Sequence, residues 1–316
     1  MNTAYVLLFP GQGAQKVGMG RDLIERYEPA RQAFRDASEA TGVDLQKACL
    51  EGPEAELART DLCQPAIVTV SIATLRALEA EMGGPLTAAA AAGLSLGEYT
   101  ALVAAQAIAF QDAVRLVYAR GRFMQAACDA SPGTMYSIIG LDDAKVEDAC
   151  ARAREGGGRV WPANYNCPGQ VVISGEKEAA ARAGTLCAEM GARRALPLNV
   201  AGAFHTPLMQ PAADSLAREL SKTEFRSPAF PVLSNVTGEP VCDPAQIREL
   251  LARQVTSPVR WAQSMRWCAV HGAQRFLEVG PGKVLQGLLK RVDAALNCTC
   301  VGNADELTLA ASQLRR

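Results

Sequence analysis

Short apolar runs alternate along the chain with longer stretches in which apolar residues recur at every third or fourth position. The short runs predict strands at residues 4–9, 87–92, 230–236 and 275–280. The longer stretches predict helices at residues 19–41, 54–59, 66–82, 98–110, 111–128, 244–254 and 259–271. Because helices alternate with short buried strands, we expect an α/β fold with a mostly parallel sheet.

The middle of the chain has a different pattern. Strand, helix, strand, strand, helix and strand are predicted in turn at residues 134–139, 142–154, 159–165, 170–174, 176–190 and 193–198. This β-α-β-β-α-β order is that of ferredoxin-like α+β folds. We therefore predict a small ferredoxin-like subdomain at 131–200, inserted into a large domain formed by 1–130 and 201–316.

Charge and hydropathy narrow the functional classes. The 316 residues carry 32 basic and 33 acidic side chains, a net charge of −1, and no basic run stands out as a nucleic-acid footprint. No apolar stretch approaches the roughly 20 residues of a membrane span. The amino terminus lacks the basic region and cleavage site of a signal peptide. We expect a cytoplasmic protein that binds neither nucleic acid nor membrane.

Cysteine and histidine usage argues against disulfides and metal sites. The ten cysteines are scattered without a C-x-x-C pair, which predicts reduced thiols that lie mostly in the core. The chain has only two histidines and no H-E-x-x-H motif, so we predict no metal site.

One serine lies between two glycines where a predicted strand meets a predicted helix, in Gly93-Leu94-Ser95-Leu96-Gly97. A nucleophile on such an elbow has a strained backbone, and glycines two positions away remove collisions with it. The helix that follows directs free N–H groups and its positive dipole end at the reacting centre. The alternative is an ordinary turn, because a G-x-S-x-G spacing also occurs by accident.

A serine nucleophile needs a base, and histidine is the usual one. His205 lies at a predicted strand-to-loop junction, where functional residues concentrate. His271 lies at the end of a predicted helix before Gly272, which indicates a favourable contact with the helix dipole. A single histidine is more often structural than catalytic, but with only two in the chain His205 is the better candidate.

Two further features are ambiguous from sequence. The segment "PGQGAQKVGMG" at 10–20 has the P-loop glycine spacing from Gly13 to Gly18, but Met19 stands where the lysine should be. Lys16 likewise occupies the third glycine of a Rossmann fingerprint. What remains is a tight turn that either donates N–H groups to an oxyanion or lies on the surface. Arg120, in a largely apolar helix, either binds a carboxylate in a cleft or is solvated.

Together these segments resemble the malonyl-CoA:acyl-carrier-protein transacylases and, more broadly, the acyltransferase domains of fatty acid and polyketide synthases. The resemblance covers nearly the whole chain and is carried, in order, by "FPGQGAQ" (9–15), "QPA" (64–66), "GLSLGEYTAL" (93–102), "RGRFMQ" (120–125), "NYNCPGQVVISG" (164–175), "AFHTPLM" (203–209), "VLSNVTG" (232–238) and "EVGPGKVL" (278–285). Each segment alone is modest evidence for the family. Eight such segments in the same order and spacing are very specific to it.

The resemblance implies a hydrolase-like parallel-sheet domain with a ferredoxin-like insertion, in agreement with the pattern above. It implies that Ser95 is the nucleophile, that His205 is the base, and that the backbone N–H groups of Gln12 and Leu96 form the oxyanion hole. The implied reaction moves malonyl from malonyl-CoA to the phosphopantetheine thiol of acyl carrier protein in fatty acid biosynthesis. Coenzyme A thioester is then a substrate, no cofactor is needed, and we expect a monomer.

By the same resemblance, Arg120 binds the free malonyl carboxylate, the main-chain carbonyl of Gln254 orients the histidine, and Phe204 belongs to the malonyl-type selectivity motif. Leu94 departs from the family pattern, which has histidine there. This departure leaves the nucleophile and base intact and bears on the polarity of the acyl pocket.

Three alternatives stay open at the level of sequence. The first is a free-standing polyketide synthase acyltransferase. The second is a serine esterase or thioesterase that uses the same Ser95 and His205. The third is a catalytically silent carrier-binding subunit. An acidic carrier protein would favour basic residues near the site mouth, for which Arg193, Arg194 and Lys283 are candidates.

Overall fold

Two sheets organise residues 5–200 and 202–315, which are the residues described by the computed structural model. The strands of these residues are β1 (Tyr5–Phe9), β2 (Ala88–Gly93), β3 (Gly133–Ile139), β4 (Val160–Cys167), β5 (Gln170–Glu176), β6 (Arg194–Pro197), β7 (Val232–Leu233), β8 (Pro240–Val241), β9 (Arg275–Val279) and β10 (Asn297–Val301).

The helices of the same residues connect these strands and cover the sheets. They are α1 (Arg21–Arg26), α2 (Glu28–Thr41), α3 (Leu45–Glu51), α4 (Glu54–Leu57), α5 (Thr60–Met82), α6 (Gly97–Ala104), α7 (Phe110–Ala130), α8 (Asp143–Glu155), α9 (Lys177–Glu189), α10 (Gln210–Leu220), α11 (Pro244–Gln254), α12 (Trp261–Val270), α13 (Val284–Val292) and α14 (Ala304–Leu314). A 3₁₀ turn at Pro207–Met209 precedes α10. No helix of the described residues is both long and apolar enough to cross a membrane.

The large sheet has the strand order β10-β9-β1-β2-β7-β8. All its neighbouring pairs are parallel except β7 with β8. Its inner strands are almost wholly buried, as expected for a parallel sheet that is covered on both faces. This parallel-sheet core confirms the α/β fold class predicted from the sequence.

The small sheet is antiparallel, in the order β4-β5-β3-β6, with α8 and α9 packed on it. Its chain order β-α-β-β-α-β is the ferredoxin-like order predicted from the sequence. The domain boundaries themselves stay a prediction, and residue 201, where the second boundary falls, lies outside the described residues. So do residues 1–4 and 316.

Backbone hydrogen bonds tie the small sheet to the rest of the chain. The amide of Tyr165 in β4 donates to the carbonyl of Val259 over 2.9 Å, and the amide of Val259 donates to the carbonyl of Ala163 over 2.8 Å. Val259 lies just before α12, which contributes to the core on one face of the large sheet. This bridge fixes the cleft between the two sheets, where the candidate site lies.

Two helices predicted in the first 82 residues differ from the observed ones. The helix predicted at 19–41 is two helices, because Tyr27 is extended and Pro29, which has no N–H, occupies the first turn of α2. The helix predicted to begin after Pro65 begins at Thr60 and contains that proline. Residues 63–75 of this helix, which include the proline, are buried, so tertiary packing outweighs the missing backbone hydrogen bond.

The strand predicted at 230–236 contains only the two residues of β7. Beyond Leu233 the chain turns, and Gly238 donates its N–H to the carbonyl of Ser234. The sequence prediction also missed α3, α10, α13, α14, β8 and β10. The helix predicted at 98–110 ends at Ala104, because Gln106 has a left-handed backbone with a φ of +58°. The other predicted elements that correspond to single observed ones differ by a few residues at their ends.

We predict that Gly97→Ala destabilises the fold by about 3 kcal/mol, because overpacking against backbone cannot relax easily. A Cβ at Gly97 would lie 2.4 Å from the carbonyl oxygen of Phe9 and 2.8 Å from that of Pro10. Urea denaturation measures the change. Gly287→Ala is the matched control: this helical glycine is exposed and has no atom within 4 Å of the added methyl. We expect it to stabilise by up to about 1 kcal/mol. Equal midpoints for the two variants would contradict the prediction.

Candidate active site

Ser95 lies on a strained turn between β2 and α6. Its φ is +54°, a left-handed conformation that is unusual for a residue with a side chain. A Cβ on Gly93 would lie 1.9 Å from the carbonyl carbon of Gly97, so only glycine lets the chain fold back this tightly. The Asn235 side chain holds the turn: its Oδ1 accepts from the Ser95 amide at 2.7 Å, and its Nδ2 donates to the Gly93 carbonyl at 2.8 Å.

The glycine turn after β1 packs directly against this elbow. The Leu94 amide donates to the carbonyl of Phe9 over 3.0 Å, and a Cβ on Gly11 would lie 2.6 Å from the Leu94 carbonyl oxygen. Gln12 and Leu96 are therefore close to Ser95 in the fold. In the hydrogen-bond network of residues 5–200 and 202–315, neither of their amides donates to a protein acceptor. These amides are the predicted oxyanion donors, and that role stays a prediction.

His205 follows Ser95 by 110 residues in the sequence and contacts it in the fold. Its Nδ1–H donates to the main-chain carbonyl of Gln254 over 2.9 Å. A carbonyl can only accept, so the proton lies on Nδ1 and Nε2 carries the lone pair. That Nε2 accepts from the Ser95 hydroxyl over 2.9 Å. Burial, with the positive charge of Arg120 as a second cause, lowers the pKa of His205 to about 4. The imidazole is thus neutral near pH 7 and able to accept a proton.

Arg120 projects from α7 into the same site and is 1% exposed. Its guanidinium donates to Gln64 Oε1 at 2.6 Å, to Ser95 Oγ at 2.9 Å and to Gln254 Oε1 at 3.0 Å. All three acceptors are neutral, and no carboxylate of the described residues forms an ion pair with Arg120. Burial lowers the pKa of Arg120. A buried cation without an anion can bind a carboxylate on a ligand.

Three polar residues to which the sequence alone assigns no role hold this arrangement. Gln64 accepts from Arg120, Asn235 fixes the elbow, and Glu98, which is 2% exposed, accepts from the Gln254 side chain over 2.6 Å. Burial raises the pKa of Glu98 to about 7, and the hydrogen bond from Gln254 opposes this rise. A signal was present in the sequence: each is a polar residue inside one of the segments that carry the resemblance.

A cavity of about 270 Å³ opens onto Ser95, His205 and Arg120. The turn after β1 contributes Gly11 and Gln12 to its lining, and the small sheet contributes Met135, Ser137, Asn164, Asn166 and Val172. Phe204, 5% exposed, and the partly buried Leu94 also line it. A cleft of this size admits one small acyl group beside the serine, with polar groups at few positions.

Other candidate residues lie elsewhere. The His271 ring stacks on Trp267 at the carboxyl end of α12 and donates from Nδ1 to the carbonyl of that residue. Potential metal ligands cluster once among the described residues, at Glu278, Cys298 and Cys300, with ligand atoms within 4.8 Å of one another. The Glu278 carboxylate already accepts two backbone amides at the start of α13. None of these residues lines the cavity at Ser95.

Comparison with known proteins identifies the family. The acyl transferase domain family matches residues 6–309. The chain belongs to the acyl transferase family. It is 46% identical to the malonyl CoA-acyl carrier protein transacylase of Salmonella typhimurium, across 98% of this chain and 100% of that protein. It is 42% identical to the protein of the same name in Bacillus subtilis, across 98% and 96% of the two chains. The predicted resemblance is thereby confirmed.

Solved structures agree with these relatives. An acyl carrier protein S-malonyltransferase from Vibrio cholerae superposes with a TM-score of 0.93 and 45% identity, over 98% of this chain and 100% of that chain. A malonyl-transacylase in complex with its type II PKS acyl-carrier protein superposes with a TM-score of 0.94 and 43% identity over the same shares. This acyltransferase therefore has the fold of structures named for malonyl transfer.

We predict that the His205 imidazole stays neutral, with its proton on Nδ1, from pH 5.5 to pH 8. The reason is that its pKa lies near 4, below that range. Imidazole NMR signals, followed through a pH titration of the uncomplexed protein, measure this. The chain has two histidines, so a His271→Gln variant leaves His205 as the only one and assigns the signals. Protonation of His205 with a midpoint near 6.5, the usual histidine value, would contradict the prediction.

Proposed function

We propose that this acyltransferase moves the malonyl group of malonyl-CoA to the phosphopantetheine thiol of an acyl carrier protein, through an ester on Ser95, in fatty acid biosynthesis. One observation carries the proposal. The Ser95 oxygen lies 2.9 Å from His205 Nε2, which can take its proton, and 2.9 Å from Arg120 Nη2, which can bind a carboxylate. The relatives that carry the transacylase name support the same substrate pair.

In the first half-reaction His205 removes the hydroxyl proton as Ser95 Oγ attacks the thioester carbonyl carbon. The tetrahedral intermediate carries its negative charge on the former carbonyl oxygen, and the backbone N–H groups of Gln12 and Leu96 stabilise it. Collapse breaks the carbon–sulfur bond. The His205 imidazolium returns its proton to the coenzyme A sulfur, so coenzyme A leaves as a thiol and malonyl stays on Ser95 as an oxygen ester.

The second half-reaction uses the same groups in the reverse order. His205 deprotonates the phosphopantetheine thiol of the carrier protein, whose sulfur attacks the ester carbon of the malonyl-serine. The carbon–oxygen bond breaks, and Ser95 regains its proton from His205. The low pKa of His205 favours return of the proton at each collapse, while Gln254 holds the imidazole through its main-chain carbonyl.

Arg120 gives the site its preference for an acyl group that bears a carboxylate. When malonyl binds, its free carboxylate replaces neutral partners of the guanidinium, and charge-assisted hydrogen bonds are the stronger kind. Acetyl leaves the same buried guanidinium without an anion. A site built to pair such a charge discriminates strongly against a ligand that cannot pair with it. Phe204 and Leu94 line part of the same cavity.

The proposed steps use only groups of one chain. We therefore propose that the protein acts as a monomer without a cofactor and that coenzyme A thioester is a substrate.

Carrier-protein contact is proposed near the cavity mouth, where Leu198 and Val284 are exposed apolar residues. Lys283 adjoins Val284, but its ammonium pairs with Glu306 over 2.7 Å. Arg193 and Arg194 are exposed next to and within β6. The relatives do not favour the hydrolase, polyketide or silent-subunit alternatives.

We predict that brief exposure to malonyl-CoA leaves a malonyl adduct on the protein, because the thiol acceptor is absent. Intact-mass spectrometry measures the adduct, and peptide mapping locates it on Ser95. Ser95→Ala is expected to give no adduct, and acetyl-CoA little. Rapid release of free malonate without a lasting adduct would instead indicate a hydrolase. The absence of both adduct and turnover would indicate a silent subunit.

We predict that Arg120→Ala lowers the ratio of kcat/KM for malonyl-CoA to that for acetyl-CoA by about a hundredfold, since a buried charge pair with the substrate is lost. Steady-state transfer to one carrier protein measures both donors. Arg122→Ala is the matched control, because Arg122 lies on the same helix but is exposed. An unchanged ratio in Arg120→Ala would refute the assigned role of this arginine.

A further inference from the structure

Glu98 is a buried carboxyl group that has no direct cationic partner. It lies in the first turn of α6, immediately behind the nucleophile elbow, and is 2% exposed. Its Oε2 accepts from Gln254 Nε2 at 2.6 Å and from the backbone N–H of Asn235 at 3.1 Å. Ion pairs among the described residues do not include it. A buried ionised carboxylate is costly unless an opposite charge compensates it.

Arg120 has the complementary property: it is a buried cation whose hydrogen-bond acceptors are all neutral. One of them is Gln254 Oε1, at 3.0 Å. The amide of Gln254, itself fully buried, thus accepts from the cation at one end and donates to the carboxyl group at the other. Its orientation is fixed, because guanidinium only donates and carboxylate only accepts.

This link differs from an ordinary ion pair in a way that suits the site. A carboxylate in direct contact with Arg120 would compete with the substrate for the guanidinium. One amide farther away, Glu98 compensates the buried charge and leaves the guanidinium without an anion in direct contact. The Nε of Arg120 is buried and has no hydrogen-bond partner among the described residues.

We propose that Glu98 is the counter-charge of Arg120, connected to it through the Gln254 amide, and that it sets how strongly the site prefers a carboxylate-bearing acyl group over a neutral one. Glu98 touches no substrate and is therefore a positioning residue that acts through Arg120. The inference rests on the proposed function, because it presumes that Arg120 receives the malonyl carboxylate.

Removal of the negative charge has opposite effects on the two donors. Malonyl gains, because its carboxylate is no longer repelled by the negative charge of Glu98. Acetyl loses, because it brings no anion and leaves the buried Arg120 cation without any compensating charge. Effects on the oxyanion and on the His205 imidazolium are common to both donors and cancel in the ratio of their kcat/KM values.

The test is Glu98→Gln, which keeps the shape and an acceptor oxygen but removes the charge. Transfer from malonyl-CoA and acetyl-CoA to one carrier protein is compared at pH 8, where Glu98, with a pKa near 7, is ionised. We expect the malonyl-to-acetyl ratio of kcat/KM to rise by about tenfold, the order expected for one partly screened unit charge. An unchanged ratio, with both donors slowed alike, would mean a hydrogen-bonding role only. A lower ratio would mean that Glu98 merely places Arg120. Either result overturns the proposal.

Glu278→Gln is the matched control. Glu278 is also fully buried, and its oxygens accept backbone amides at α13, away from the cavity. We expect this substitution to leave the ratio unchanged.

The Arg120→Ala variant separates the two proposals. If Arg120→Ala leaves the ratio unchanged, the proposed function of Arg120 fails. If it lowers the ratio and Glu98→Gln does not raise it, only the counter-charge fails.

The unmodified protein provides a second measurement in case Glu98→Gln does not fold. Its malonyl-to-acetyl ratio should rise as the pH falls from 8 to 6, because Glu98 becomes protonated. The charged or titratable groups that act on Glu98 among the described residues include Arg120 on α7 and Tyr99 on its own helix, and His205 lies across the same site. Arg120 stays protonated, and burial raises the pKa of Tyr99 and lowers that of His205 to about 4, so neither changes charge in this range. A constant ratio would overturn the proposal.

Discussion

The close backbone contact between β1, the Ser95 elbow and α6 is the constraint on which the site depends. Gly93 and Gly97 allow the chain to reverse with no room for a Cβ, and Gly97 also lies against the carbonyls of Phe9 and Pro10. The same contact brings the Gln12 turn beside the elbow and places the start of α6 next to Ser95. The left-handed backbone of Ser95 persists because Asn235 holds the residue from the opposite side.

Burial of charge is the second principle of the site. Arg120 and Glu98 are both removed from water, and each is hydrogen bonded to neutral groups rather than to the other. The Gln254 residue joins them through its side chain and orients His205 through its main chain. One residue at the end of α11 therefore couples the position of the His205 imidazole to the electrostatics around Arg120. A change at any of these positions is expected to alter both properties.

Much of the fold could be predicted from hydrophobic periodicity, because α8, α9 and the strands of the small sheet have clear patterns bounded by glycine and proline. The errors have physical causes. Pro65 lies inside a buried helix because packing outweighed a lost hydrogen bond, and the strand at 230–236 stops after two residues because the chain turns to bring Asn235 to the elbow. Ser95 and His205 could be chosen as candidates because elbow spacing and histidine scarcity are local properties of the sequence.

The sequence by itself determined the type of fold, the family and the chemical groups available, because periodicity, glycine spacing and motif order are encoded residue by residue. Only the tertiary structure decided which groups meet. Gln64, Asn235 and Glu98 are ordinary polar residues in the sequence, and their importance comes from distances below 3.2 Å to residues far away in the chain. The tautomer of His205 comes from its hydrogen bond to the Gln254 carbonyl, and the need of Arg120 for a counter-charge comes from burial. Burial depends on how helices and sheets pack, and no local pattern records it.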